Sequence, residues 1–249
     1  MASRDGKGRA VVTGAARGIG QAVARRLAGE GVEVLAVDLG EDGLAALDAD
    51  GFPTMRLDLA DPPARERLAE AAQGFDYLVN CAGILQVKPI WDVTVEDWRR
   101  IQTVNAESVF FLCQGIGRRL RPGGAIVNLS SSSAKLATTT DVAPYAASKT
   151  TILSITRSFA YALADRPIRV NAVCPGIVDT PMQDRVLEGM AAQRGIGVAE
   201  LSRERNARVP LGRAASAAEC AGLIWFLLSD EAAYMTGQAV NFTGGLVNW

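Results

Sequence analysis

The sequence contains no histidine in its 249 residues. That absence excludes a Ser-His-Asp triad, a histidine-ligated metal and an imidazole general base. Proton transfer in this chain must therefore use tyrosine, lysine, aspartate, glutamate or cysteine. Lysine is also scarce. The chain has twenty-two arginines but only four lysines, Lys7, Lys88, Lys135 and Lys149. A lysine on a predicted buried face is costly without a partner, which makes its position informative.

Cysteines, long apolar runs and excess charge are scarce as well. Cys81, Cys113, Cys174 and Cys220 are scattered through apolar segments, which indicates reduced core residues rather than a disulfide framework or a zinc site. We therefore predict no metal site and, by default, a cytoplasmic protein. No apolar run approaches a membrane span, and the N-terminus does not resemble a signal peptide. A net charge of −1 without a basic run argues against nucleic acid or a membrane as partner.

Short β-branched segments alternate with helical ones along the chain. The predicted strands are residues 9–13, 32–37, 54–57, 75–79, 125–129, 168–173 and 238–242. The predicted helices are residues 21–30, 62–73, 94–119, 146–163 and 217–228. This order predicts an α/β fold, with one doubly wound, Rossmann-type parallel sheet of about seven strands and helices on both faces. We expect a single domain over residues 1–249, with residues 182–208 as a mobile, irregular substrate lid.

A glycine-rich turn joins the first predicted strand to the first helix. Gly14, Gly18 and Gly20 follow the pattern G-x-x-x-G-x-G, which allows a tight turn and the approach of a pyrophosphate to a helix N-terminus. Asp38 ends the second strand, where a carboxylate can accept from both ribose hydroxyls of NAD and would repel the 2′-phosphate of NADP. No basic residue follows it closely, so NAD is favoured. A solvated turn aspartate is the alternative interpretation.

Tyr145 and Lys149 lie four residues apart on one face of the predicted helix 146–163. The same face continues through the apolar Ile152 and Leu163, so the lysine is predicted to be buried. A lysine beside a tyrosine favours a phenol that transfers protons. The alternative is a lysine that extends to water from the flank of the helix.

At this point the sequence resembles the short-chain dehydrogenase/reductase family over nearly its whole length. The matching segments are residues 13–20 (TGAARGIG), 58–59 (DL), 80–83 (NCAG), 104–105 (VN), 127–131 (VNLSS), 145–149 (YAASK) and 175–180 (PGIVDT). The resemblance implies a catalytic set of Asn105, a serine, Tyr145 and Lys149. In that set the tyrosine is the acid/base, and the serine binds the substrate oxygen. The lysine binds the nicotinamide ribose and lowers the tyrosine pKa, and the asparagine supports a water that relays protons.

The resemblance also implies where the cofactor contacts the chain. Asp58 and Leu59 would flank the adenine, Asn80, Ala82 and Gly83 would line the ribose and diphosphate path, and Val178 and Thr180 would hold the carboxamide. The full set of expected NAD contacts is Gly14, Arg17, Gly18, Ile19, Gly20, Asp38, Leu39, Asp58, Leu59, Asn80, Ala82, Gly83, Tyr145, Lys149, Pro175, Gly176, Val178 and Thr180.

Two positions depart from a simple match. The catalytic serine is Ser131 if the segment 127–131 is aligned, and Ser132 if a common family spacing to Tyr145 is kept. We favour Ser131, because a loop absorbs one residue more easily than a strand changes register. In residues 241–245 (NFTGG), Thr243 replaces an aspartate of many relatives, which puts the local turn contacts in question.

The expected activity is NAD-dependent hydride transfer between a small-molecule secondary alcohol and its ketone. A weak likeness to sorbitol-type and butanediol-type members favours a polyol, sugar-like or small hydroxy compound. The alternatives are a 3-oxoacyl-carrier-protein reductase and a non-catalytic NAD-sensing or scaffold protein. The nearly uncharged helix 146–163 and the apolar segment 237–249 indicate association, and family resemblance implies a homotetramer.

Overall fold

The structure, a computed structural model, describes residues 8–137 and 139–249. Its central feature is a parallel sheet of seven strands in the order β3-β2-β1-β4-β5-β6-β9. The strands of the sheet are β1 (Arg9–Thr13), β2 (Glu33–Asp38), β3 (Thr54–Arg56), β4 (Tyr77–Asn80), β5 (Ala125–Leu129), β6 (Arg169–Pro175) and β9 (Ala239–Phe242). A small second pair is formed by β7 (Val178–Asp179) and β8 (Ala215–Ser216). The predicted doubly wound fold is therefore confirmed.

Nine α-helices of the described residues surround this sheet. They are α1 (Gly18–Gly29), α2 (Glu41–Ala49), α3 (Pro62–Ala71), α4 (Val95–Gln102), α5 (Ser108–Gly117), α6 (Ala143–Ala162), α7 (Pro181–Arg194), α8 (Val198–Ala207) and α9 (Ala217–Leu228). Alternate strand residues face opposite sides of a sheet, so Ala10 and Val12 pack with α1, α2 and α9, whereas Val11 packs with α3, α5 and α6. Two apolar layers thus cover the sheet, and its carboxyl edge stays free to form a site.

The predicted continuous helix over residues 94–119 is wrong in detail. Thr94 caps α4 in a capping box with Asp97, but residues Thr103–Glu107 form a π-helical turn before α5 begins. Such single turns insert one extra residue into a helix and recur at functional sites. Here the turn carries Asn105, and the side-chain contacts of that residue, described below, explain the distortion.

Two further expectations need correction. Residues 182–208 are not an irregular excursion, because α7 and α8 occupy most of them and meet at Gly195, whose φ is +64°. Their own small cluster of Leu187, Ala191 and Leu201 holds the two helices together. Sequence reasoning also missed α2, which packs so closely on the glycine-rich turn that a Cβ at Gly43 would lie 2.3 Å from the Ala16 carbonyl oxygen.

Three general features of the described residues complete the architecture. No helix in the described ranges is both long and apolar enough to cross a bilayer. All four cysteines are free thiols, with Cys113, Cys174 and Cys220 buried, as predicted. Within the same ranges, no group of three or more cysteine, aspartate or glutamate side chains is placed to hold a metal ion.

Candidate active site

The glycine-rich turn between β1 and α1 forms a cradle that side chains would fill. Gly14 and Gly18 have φ values of +69° and +59°, a region that favours glycine. A Cβ at Gly20 would lie 2.1 Å from the Gly14 carbonyl oxygen, and one at Gly14 would lie 2.7 Å from the Ala82 nitrogen. The N-cap residue, Arg17, makes no side-chain capping hydrogen bond to the first turn of α1, so the N–H groups and the positive dipole end of this helix fit a pyrophosphate.

Asp38 lies at the carboxyl end of β2 beside this cradle. Its two carboxylate oxygens accept backbone hydrogen bonds from Ala16 at 2.9 Å and from Gly40 at 2.8 Å. These bonds fix the carboxylate at the edge of the groove, where its remaining lone pairs fit ribose hydroxyls. The sheet also brings Arg56 of β3 into register with Asp38, a neighbour that reading along the sequence did not reveal.

Lys149 is buried, with only 3% of its surface exposed. Its Nζ donates to the Leu129 carbonyl oxygen at 2.7 Å and lies 5.6 Å from the centre of the Tyr145 ring. Burial lowers the pKa of Lys149 from 10.5 to about 8, against a smaller opposite effect of nearby Cys81 and Cys174. The lysine therefore does not extend to water, and its amine is held beneath the groove beside the phenol.

Tyr145 faces the cavity from the first turn of α6. Burial raises the pKa of its phenol above 10.0, and a hydrogen bond with the Ser131 side chain acts in the opposite direction. Desolvation outweighs this hydrogen bond, so the pKa of the phenol is raised in the protein alone. Ser131 is also fixed by accepting a hydrogen bond from the Ser133 backbone N–H at 3.1 Å. Of the two candidate serines, the structure brings Ser131 to the phenol.

Asn105 in the π-helical turn is completely buried. Its Oδ1 accepts from the Ile84 N–H at 2.8 Å, while its Nδ2 donates to the Ile84 carbonyl at 2.9 Å and to the Ser148 hydroxyl at 3.0 Å. A Cβ at Gly83 would lie 3.4 Å from Asn105 Oδ1 and 3.5 Å from Lys149 Nζ. Gly83 thus keeps a small space between the amide and the amine.

Asn80 does not contact the groove through its side chain. It is buried at the end of β4 and donates to Asn128 Oδ1 at 2.8 Å, and Asn128 donates to the Thr156 hydroxyl at 3.0 Å. This chain of polar groups connects β4 and β5 to α6 behind the candidate catalytic residues. The expected contact of Asn80 with the ribose and diphosphate path therefore stays a prediction, and the described side-chain bonds leave it to the backbone of this residue.

A cavity of about 430 Å³ opens at the carboxyl ends of the strands. The predicted site residues that line it are Ile19, Gly83, Ser131, Tyr145, Lys149, Pro175, Gly176, Val178 and Thr180, together with the alternative serine, Ser132. Thr180 caps α7 by accepting from the Gln183 N–H at 3.3 Å, and a Cβ at Gly18 would lie 3.4 Å from its methyl group. The lid therefore begins directly over the glycine-rich cradle.

The remaining predicted residues lie beyond this cavity. Leu39 is 53% exposed, and Asp58 is exposed with its carboxylate accepting from the Ala60 N–H at 2.9 Å. Leu59 is buried in the core layer of α3 and α5. Asp38, Leu39 and Asp58 follow neighbouring strands of one sheet, so they extend the groove away from Tyr145 in the direction expected for an adenosine.

Comparison with known proteins agrees with this geometry. The family model described as enoyl-(acyl carrier protein) reductase matches residues 14–247. The chain is 34% identical over 253 residues to the L-2,3-butanediol dehydrogenase of Corynebacterium glutamicum, covering 96% of this chain and 98% of that protein. It is 35% identical over 249 residues to a 3-oxoacyl-[acyl-carrier-protein] reductase of Thermotoga maritima, covering 95% and 96%. A short-chain dehydrogenase family protein from Francisella tularensis has a TM-score of 0.88 at 30% identity, covering 96% and 98%.

The chain belongs to the short-chain dehydrogenase/reductase family.

Members of the short-chain dehydrogenase/reductase family bind a nicotinamide cofactor, and this chain is an oxidoreductase of that family acting on alcohols or ketones. A single-residue variant of actinorhodin polyketide ketoreductase, solved with NADPH, superposes with a TM-score of 0.90 at 34% identity over the whole of both chains. Dehydrogenases and ketoreductases are thus both among the relatives. The relatives therefore do not decide which cofactor and which substrate this protein uses. That question depends on the residues of this chain.

Sequence reasoning predicted residues 182–208 as a substrate lid but did not identify which of their side chains line the cavity. They are Met182, Gln183, Val186, Met190 and Arg194 of α7, and Leu201, Glu204, Arg205 and the following Arg208 of α8. Their spacing of three and four residues is helical, which was the available signal. The glycines at 189, 195 and 197 obscured it, because they suggest loop rather than helix.

Proposed function

We propose that this protein catalyses NAD-dependent interconversion of a secondary alcohol and its ketone, with a polyol, sugar-like or small hydroxy compound as substrate. The observation that carries the proposal is the buried Lys149 amine 5.6 Å from the centre of the Tyr145 ring, in the cavity that both residues line. A buried ammonium without an ionic partner is costly for a merely structural role. Beside a phenol in a cavity, the two groups suit proton transfer.

The cofactor fits the residues present. The open first turn of α1 would hold the diphosphate, Asp38 the adenine ribose, Lys149 the nicotinamide ribose, and Val178 and Thr180 the carboxamide. When bound, NAD supplies the hydride acceptor and a positive charge near the phenol.

The proton chemistry falls to four residues of the chain. Ser131 holds the substrate oxygen at the phenol, and the Tyr145 oxygen takes the hydroxyl proton during oxidation or returns it during reduction. Burial disfavours the phenolate, so the cationic Lys149 has to stabilise it within the complex. Asn105 fixes the small space beside Gly83, where a water can pass protons to the Lys149 amine.

NAD is proposed over NADP because Asp38 places a fixed negative charge at the ribose end of the groove. Arg56, its neighbour in the sheet, is not free to neutralise that charge, because other groups hold its guanidinium. Its Nη1 pairs with Glu41 at 3.4 Å, and its Nε donates to the Leu39 carbonyl at 3.2 Å. A 2′-phosphate would therefore lie beside the Asp38 carboxylate. Arg56, the basic residue paired with Asp38 in the sheet, is held by its contacts with Glu41 and Leu39.

A 3-oxoacyl-carrier-protein reductase using NADPH is the second candidate. It is favoured by the exposed Arg17 in the glycine-rich turn, by Arg56 beside Asp38, and by the reductases among the relatives. Arg17 and a released Arg56 could bind a 2′-phosphate.

The association and location of the protein are also proposed. Phe110 and Phe111 of α5 and Tyr161 of α6 are 38%, 45% and 88% exposed. Phe110 and Phe111 contact each other edge to face, and exposed aromatic side chains on these helices could be covered by a second copy, consistent with a homotetramer. We propose a cytoplasmic enzyme, in line with its free thiols.

A substrate panel tests these candidates together. Butanediols, sorbitol, threitol and ketoacyl thioesters would be assayed in both directions with NAD(H) and NADP(H). The leading proposal predicts turnover of at least one of the alcohols with NAD. Turnover only of ketoacyl thioesters with NADPH would favour the second candidate, and tight NADH binding without any turnover would favour a sensor.

A further inference from the structure

The two lid helices present one mixed face to the cavity. On α7 this face contains Met182, Val186 and Met190, four residues apart, and ends at Arg194. On α8 it begins at Leu201 and continues through Glu204, Arg205 and Arg208. The apolar residues of this face would contact carbon atoms of a substrate. The three arginines are unexpected, because charged side chains seldom line an enclosed cavity unless they bind something.

The charges on this face do not cancel. Arg194 pairs with Glu204 at 2.7 Å, and that ion pair uses the one acid of the lid face. On the other side of the cavity Asp141 accepts from the Thr139 hydroxyl at 3.0 Å. Arg205 and Arg208 have no ion pair among the described residues, so the lid wall carries an excess of positive charge.

Arg205 is the more deeply placed of the two. Its Nη1 is buried and has no hydrogen-bond partner in the part of the chain that the structure describes. Burial, together with the charge of Arg208, lowers the pKa of its guanidinium. An unpaired guanidinium nitrogen in such a position costs free energy in the folded protein. The polypeptide does not offset this cost, which indicates that a ligand does.

The position of Arg205 connects it to the reaction centre. It lines the catalytic cavity and also a small adjoining cavity, where its neighbours include Ile177 and Gln183. Those two residues flank Val178 and Thr180, the expected contacts of the carboxamide. Asp179 and Asp184 line the small cavity as well, but neither forms an ion pair with Arg205 in the described structure. Arg205 thus lies where the two cavities adjoin, and no acid is within ion-pair distance of it among the described residues.

We propose that Arg205, assisted by Arg208, binds an anionic group of the substrate, a carboxylate or a phosphate, while the carbinol lies at Tyr145. The proposal rests on the proposed function only in taking this cavity as the substrate site. A planar guanidinium matches both anions through paired hydrogen bonds. The substrate class is thereby narrowed to hydroxy acids or phosphorylated polyols and their keto forms, and the apolar lid residues contact the carbon chain between the two ends.

Matched pairs of compounds test the proposal and distinguish the two anions. 3-Hydroxybutyrate is compared with butane-1,3-diol, and sorbitol 6-phosphate with sorbitol, in the wild-type enzyme and in Arg205→Gln. We expect the wild type to prefer one anionic compound over its neutral partner. In Arg205→Gln, kcat/KM for that compound should fall about 10- to 100-fold, the loss of a charged hydrogen bond, with the neutral partner unchanged. Arg205→Lys should recover part of the loss.

Arg203 provides the control. It lies on the same helix, is exposed and does not line the cavity, so Arg203→Gln should leave both compounds of each pair unaffected. Equal losses for anionic and neutral compounds in Arg205→Gln, or a changed KM for NAD alone, would overturn the proposal. So would an Arg205→Gln enzyme that retains the full preference for the anion.

A binding readout separates this proposal from the proposed function. Thermal unfolding is followed with butyrate or inorganic phosphate as probes and butan-1-ol as the neutral control. One of the two anions should raise the Tm of the wild type but not that of Arg205→Gln. That result without turnover of any alcohol would uphold the anion site while the proposed function fails. Turnover of neutral alcohols with no Arg205-dependent anion effect would leave the proposed function standing and overturn the anion site.

Discussion

The Lys149 amine lies 5.6 Å from the centre of the Tyr145 ring and donates to the Leu129 carbonyl at 2.7 Å. One turn of α6 separates the two residues, and β5 supplies the carbonyl that receives the amine. The sheet and the helix therefore jointly fix a cation beside a phenol at the carboxyl edge of the strands. Burying this amine costs free energy of folding, and that cost can be measured from the pH dependence of stability.

The first prediction concerns the pH dependence of stability. Because burial lowers the pKa of Lys149 to about 8 from 10.5, the folded state binds fewer protons here than the unfolded state between these pH values. Wild-type stability relative to Lys149→Met should therefore rise with pH across this range, by about 3 kcal/mol in total. Urea unfolding of both proteins at a series of pH values measures this difference. A difference independent of pH would show that the amine is not desolvated.

The second prediction separates the two serines. A hydrogen bond with the Ser131 side chain acts on the pKa of the Tyr145 phenol, and both Ser131 and Ser132 line the cavity. Ser131→Ala should reduce kcat about 100-fold, a typical loss for one hydrogen-bond donor to a reacting oxygen. Ser132→Ala should retain most activity and acts as the matched control. A larger loss of kcat in Ser132→Ala than in Ser131→Ala would instead assign the binding of the substrate oxygen to Ser132. The loop after β5 would then align with the family one residue further along.

The third prediction concerns cofactor choice. Asp38→Asn removes the charge and leaves one carbonyl oxygen for the Ala16 and Gly40 N–H groups. NADH should bind about 10- to 100-fold more weakly and NADPH more tightly. Fluorescence titration of both cofactors measures the change, with the exposed Asp42→Asn as control. If the wild type already binds NADPH better than NADH, the assignment of NAD is wrong.

The fourth prediction uses two glycines of the same helix. A Cβ at Gly20 would clash with the Gly14 carbonyl oxygen, whereas one at Gly29 has nothing within 4 Å. Gly20→Ala should distort the turn and abolish NADH binding. Gly29→Ala should leave binding intact and stabilise the protein by about 0.5–1 kcal/mol. Normal NADH affinity in Gly20→Ala would contradict the proposed cradle.

The alternation of apolar strands and helices predicted the fold well, because a buried parallel sheet needs strands that are apolar on both faces and helices that cover them. The carboxyl ends of those strands then identified most of the groove. Asn80 shows the limit of this reasoning. The family resemblance implied that Asn80 lines the ribose path, but no sequence pattern indicated that its side chain donates to the buried Asn128.

The other differences also depend on contacts between distant segments. The π-helical turn forms where Asn105 bonds both polar groups of Ile84, and no local pattern in residues 94–119 records those bonds. The register of β2 and β3 brings Arg56 to Asp38, although they are far apart in sequence. Likewise, the pKa of Tyr145 reflects how tightly its surroundings exclude water, which a spacing of four residues does not determine.

Steady-state turnover of Tyr145→Phe, on the best alcohol from the panel with NAD, tests the central claim most directly. The variant lacks only the phenolic oxygen, and Tyr161→Phe, at a tyrosine 88% exposed on the same helix, is the matched control. We predict a loss of about 100- to 10,000-fold in kcat, with NADH affinity and Tm preserved and the control fully active. A Tyr145→Phe enzyme with wild-type kcat would contradict the account.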